Sequence, residues 1–175
     1  MLPDLFTMPD LFTMMARYNR WANERIFAAA AGLPDSQYRE DLEAYFRSVH
    51  GTLNHLLLAD RIWMSRFTGA PSPADRLDTI LYEDFAALRA ARDAEDEAIV
   101  RYTDSLDGDA LAGTITYRTI VHPQEIEQPL APALMHFFNH QTHHRGQVHA
   151  LMTRLTGDAP SLDLIAYQRE AANTD

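Results

Sequence analysis

Apolar side chains recur at three- and four-residue intervals over four long stretches of this chain, and that spacing leaves little room for anything but packed helices. Over 10–31 the pattern is carried by Leu11, Met14, Met15, Tyr18, Ala22, Ile26 and Phe27, with Asp10 placed to cap the start and Gly32 and Pro34 to end it. A second helix is predicted over 41–68, with Tyr45, Val49, Leu53, Leu56, Trp63 and Phe67 as its stripe, followed by the loop "TGAPSP". A third spans 79–105, with Leu81, Phe85, Leu88, Ile99 and Tyr102 facing inward; its middle, "RAARDAEDEA", reads as a solvated face. The fourth opens near Ala131, with Pro132 in its first turn, and ends at Gly157.

The stretch 106–130 is rich in Thr, Ile, Val and Pro. It suits two short strands or an extended crossover, either shaping a cavity mouth or simply connecting. "SLDLIAYQRE" at 161–170 reads as a short closing helix capped by Ser161. The expected fold is all-α: a four-helix bundle with a long crossover between the third and fourth helices and a short C-terminal helix, in one domain over 1–175. The near repeat "LPDLFTM" and "MPDLFTM" marks residues 1–9 as a flexible or over-extended start.

Composition narrows the chemistry. The chain has no cysteine and no lysine, which removes disulfides, thiolate ligands, a cysteine nucleophile and a Schiff-base lysine. A net charge of −10, with arginines scattered among carboxylates, speaks against nucleic acid and anionic membranes as partners. No apolar run is long enough to span a bilayer, and Asp4 and Asp10 interrupt the apolar N-terminal segment, so a cytoplasmic location is expected.

Five of the eight histidines fall within "HFFNHQTHHRGQVHA" at 136–150. On a helical wheel His140 and His144 lie nearest the apolar face, and their four-residue spacing stacks both rings on one side, the His-x3-His arrangement that can grip one ion. His136 extends the same stripe by a turn and is ambiguous, whereas His143 and His149 read as surface or supporting residues. A third ligand must come from another helix. His50 points away from the second stripe; His55 flanks it among Ser48, Gly51, Thr52 and Ala59, and is either the third ligand or a helix-edge histidine with a local hydrogen bond.

Three neutral imidazoles suit Zn2+, Ni2+ or Fe2+ and leave a coordination position open. Gln141 stands where a His-Glu-x-x-His protease would carry its general base, which disfavours that class. Asp60 either orients a ligand or pairs with an arginine such as Arg61 or one on a neighbouring helix. Asn19, Asn23 and Gln147 are further candidates to support the site, although Asn19 and Asn23 suit a helix–helix seam equally well.

"NHQTHHRGQVHALMTRL", with "LNHLLLADRIWMSRF" and "ARYNRWANERIF" upstream, resembles the DinB family, also called DinB/YfiT-like proteins, over roughly residues 10–170. The resemblance implies an up-down-down-up four-helix bundle, a divalent metal (nickel or zinc) on His55, His140 and His144, and a homodimer. It also implies a stress-response setting and a transferase that activates a low-molecular-weight thiol toward small electrophiles. The sulfur would then arrive with the cosubstrate, in keeping with a cysteine-free chain. Metal-assisted hydrolysis and a non-catalytic metal-binding role are the alternative expectations.

Overall fold

Several helix starts in this protein are set by side chains that cap the backbone. The computed structural model describes residues 6–173. In chain order they form α1 (Met8–Ala30), the one-turn α2 (Asp35–Tyr38), α3 (Val49–Thr68), α4 (Phe85–Asp104), the one-turn α5 (Gly108–Leu111), β1 (Thr114–Arg118), β2 (Glu125–Pro129), α6 (Leu130–Thr156) and α7 (Leu164–Ala171). The fold is mostly helical. No helix among the described residues is long and apolar enough to cross a membrane.

α1 starts earlier than the apolar spacing predicts. Thr7 is the cap: its side chain accepts from the Asp10 N–H, while the Asp10 carboxylate accepts the Thr7 N–H at 2.8 Å. This reciprocal capping box places Asp10 inside the first turn. Met8 and Pro9 are therefore helical, and residues 1–5 of the expected flexible start lie outside the described residues.

α3 begins at Val49 and not near 41. Glu43 and Arg47 have φ of 60° and 67°, which no helix accommodates, and the Ser48 hydroxyl then accepts the Gly51 N–H at 3.0 Å. Tyr45, expected in the apolar stripe, is consequently exposed. α4 likewise starts at Phe85, capped by the Asp84 carboxylate, and leaves Leu81 in the preceding loop. Gly69 and Gly157, with φ of 71° and 78°, end α3 and α6 in the left-handed conformation that glycine tolerates best. α7 follows Asp163 without a Ser161 cap.

The long connection after α4 contains α5 and an antiparallel hairpin, with Thr114 opposite Pro129 and Arg118 opposite Glu125. Of the two expectations for 106–130, the two short strands are the one that forms, as a small β element within a mostly helical fold.

α1 packs against α4 and α6, and α3 packs against the same two helices. Two apolar cores result. Phe12, Trp63, Phe67, Ile99 and Phe137 anchor one; Ile26, Phe27, Leu53, Leu88 and Val148 anchor the other. On every long helix a buried polar group separates the two sets: Asn19 and Asn23 on α1, Asp60 on α3, Arg92 and Asp96 on α4, Gln141 and Arg145 on α6. Arg92 bonds Asp60 at 2.6 Å and Asp96 at 3.1 Å. Asn23 donates to Asp96 at 2.9 Å, and the Arg145 guanidinium donates to the side-chain oxygen of Asn19. The charged middle of α4 is therefore not a wholly solvated face: Arg92 and Asp96 are 1% and 2% exposed. They tolerate burial because two carboxylates and two guanidiniums balance within one hydrogen-bonded belt.

Candidate metal centre

α6 carries His140 and His144 one turn apart, so their rings project from the same side of the helix. α3 packs against that side and presents His55. One nitrogen from each of His55, His140 and His144 lies within 4.8 Å of the other two. His140 Nε2 and His144 Nε2 stand 3.1 Å apart. Two nitrogens each about 2.0–2.1 Å from one ion at a tetrahedral angle lie roughly 3.3 Å apart, so this spacing suits a shared cation.

The orientation of two of the rings is fixed from behind. His55 Nδ1 lies 2.9 Å from the Leu77 carbonyl oxygen, which can only accept, so the proton sits on Nδ1 and the Nε2 lone pair is free. His144 Nδ1 donates in the same way to Gln147 Oε1 at 2.8 Å, and the Gln147 amide nitrogen lies 3.1 Å from His143 Nε2. This is the usual manner in which a metal-ligating imidazole is held. Phe46 stacks on His55 with ring centres 3.8 Å apart and meets His144 edge-on. Gly51 permits that approach: a Cβ there would lie 2.1 Å from the Phe46 carbonyl oxygen.

Electrostatics keep the rings neutral. Burial pushes His55 down to about 4, with a smaller contribution from His144 against the Leu77 bond. Burial, then the neighbouring imidazoles, push His140 down to about 3. Burial also lowers His144, against the opposing bond to Gln147. Three uncharged donors at neutral pH fit a borderline divalent cation.

A cavity of about 270 Å3 opens beside His55 and His140, lined also by Trp63, Arg66, His136 and Ile120. Residues 119–121 of the hairpin connection form part of its wall, so the stretch after α4 shapes the cavity. His136 lines this cavity, its ring centre 5.8 Å from that of His140, and is not one of the three converging ligands.

The other expected residues divide. Gln147 touches the site through His144. Asp60, Asn19 and Asn23 belong to the belt, with Asp60 paired to Arg92 on the neighbouring α4. His50 does not point into solvent: it is 6% exposed, its Nδ1 3.2 Å from Tyr38 Oη, because α2 folds over this end of α3. Sequence reasoning missed Asn54. This fully buried amide accepts the N–H groups of Leu81 and Tyr82 at 2.9 Å each and donates to the Tyr82 carbonyl. It ties the loop bearing Leu77 to the helix bearing His55, and a polar residue inside "LNHLLL" was the available signal.

Comparison with known proteins identifies the family. The family model described as "DinB family" matches residues 8–175. "Protein DinB" of Bacillus subtilis (strain 168) is 26% identical over 145 residues, spanning 77% of this chain and 80% of the relative.

Proposed function

Because the chain belongs to the DinB family, we propose that it is a divalent-metal-dependent enzyme, a transferase that activates a low-molecular-weight thiol toward a small electrophile. His55, His140 and His144 would hold the ion, with Ni2+, Zn2+ or Fe2+ suited to three imidazoles. The observation that carries the reading is the convergence of three neutral rings beside a cavity, with no carboxylate among the described residues completing the group. When bound, the ion supplies a Lewis-acid position that lowers the pKa of whatever coordinates it. The protein's own part is to keep Nε2 of His55 and His144 aimed inward through Leu77 and Gln147, to shield His55 with Phe46, and to receive the small molecule against Trp63 and Ile120.

The four long helices are read as an up-down-down-up bundle in a single domain, and the protein as a cytoplasmic homodimer in a stress-response setting. The apolar strip of Met8, Leu11 and Met135, exposed on α1 and α6, supports self-association.

Element-resolved metal analysis tests the centre: His140→Ala or His144→Ala should lose the stoichiometric metal carried by the parent chain, and retained metal would refute the ligand assignment. Metal-loaded protein is then incubated with a panel of biological thiols and a chromogenic electrophile. A metal-dependent rate requiring thiol is expected. Turnover without thiol would favour hydrolysis, and no turnover beyond background with any thiol would favour a non-catalytic metal-binding role.

A further inference from the structure

Arg66 stands in the last turn of α3, at the wall between two cavities. Its guanidinium carbon lies 4.4 Å from the ring centres of both Trp63 and Tyr117, so it rests in the angle between two aromatic faces. The two rings meet nearly edge-to-face, their centres 5.6 Å apart, and hold the guanidinium between them. Among the described residues no carboxylate lies within 4.0 Å of this guanidinium and no side-chain or carbonyl acceptor receives its N–H groups. By contrast Arg17, Arg20, Arg25, Arg39, Arg61 and Arg92 all pair with acids.

In a chain with 25 acidic residues, the cavity shared by Arg66, His55 and His140 has no acidic side chain among the described residues of its wall. Placement near a helix C-terminus explains a cation there, but not one folded onto two rings with its hydrogen-bonding edge left over. The adjoining cavity adds Ser65, Thr116 and Arg118, again without an acid.

We propose that the cavity beside the three imidazoles takes a small organic carboxylate, and that Arg66 is the residue that binds its carboxylate group. A guanidinium held against aromatic rings, with its N–H groups not engaged by any acid, keeps a donor fork that can receive a planar carboxylate through paired hydrogen bonds. Hydrophobic walls at Ile62, Trp63 and Val121 surround the rest of such a molecule. This names the substrate class for the proposed enzyme and rests on that reading for its chemistry, but the anion site itself depends only on Arg66 and the cavity.

Calorimetric titration of the full chain, metal-loaded and metal-free, with benzoate, butyrate and succinate and with their uncharged amides tests it. Each carboxylate small enough to enter should bind at least 10-fold more tightly than its amide in both forms. Arg66→Gln should abolish that preference in the metal-free form. Arg66→Lys should retain part of it, since charge remains while the stacked fork is lost, and Arg101→Gln should leave it unchanged. Unaltered circular dichroism of the variants excludes misfolding as the cause.

A preference seen only with metal and indifferent to Arg66→Gln would assign the anion to the ion and overturn the proposal. So would binding of no carboxylate in either form. Either result leaves the metal centre standing, whereas loss of metal from the parent chain with the carboxylate preference intact would overturn only the enzyme reading.

Discussion

A single amide determines which lone pair His144 offers. Gln147 Oε1 accepts from His144 Nδ1 and so keeps Nε2 unprotonated toward His140. Gln147→Leu should therefore weaken metal binding by about 10- to 100-fold while leaving the fold intact, and Gln147→Glu should bind at least as well as the parent. Competition with a chromogenic chelator measures this; equal affinity in Gln147→Leu would show that the ring needs no such support. The paired histidines of α6 were legible in the sequence because both sit on one helix, where spacing alone fixes their relation. The support of His55 was not, because it comes from the backbone carbonyl of Leu77, and a carbonyl leaves no mark on residue type. Arg66 was equally silent: its meaning lies in Trp63, a turn away, and Tyr117, which only the folded hairpin brings near.

The loop from Gly69 to Asp84 behaves as an accessory to α3 because Asn54 grips it. Asn54→Ala would leave the buried N–H groups of Leu81 and Tyr82 without their acceptor and release the Leu77 carbonyl from its place behind His55. The expected outcome is a loss of about 2–4 kcal/mol in denaturant unfolding, together with weaker metal binding. A variant that is destabilised but binds metal as tightly as the parent would uncouple loop and site. The four long helices were recoverable from apolar periodicity; their starts were less so. α3 and α4 begin later than predicted because Ser48 and Asp84, both polar residues inside otherwise periodic stretches, form the caps. Positive φ at Glu43 and Arg47 has no compositional signal, since neither is glycine.

Across the whole molecule, buried histidines couple stability to pH. Burial lowers His50, His55, His136, His140 and His144 from the ordinary value of 6.5, so the unfolded chain takes up protons that the folded chain refuses as pH falls below 6.5. Stability is fully present above that value and declines toward the folded values, about 4 for His55 and about 3 for His140. Asp60 and Asp96, raised by burial, contribute with the opposite sign, but Arg92 bonds both and limits that effect. Metal-free protein should lose roughly 4 kcal/mol between pH 7.5 and pH 5.0, about 2 from each of His55 and His140, and on the order of ten degrees in Tm. Tm that is flat or higher at pH 5.0 would contradict the neutral, buried state of the rings.

The belt was the least legible feature, because charges on α4 look solvated until three other helices supply partners for them. Its consequence reaches beyond its own bonds. Drawing a polar group from every long helix at one height, it works as an indexing pin: sliding any helix by a turn would strand a formal charge against leucine and phenylalanine. Oily cores alone permit such slippage. The alignment that brings an imidazole on α3 level with two on α6 is thus enforced from a layer that makes no hydrogen bond to any of them.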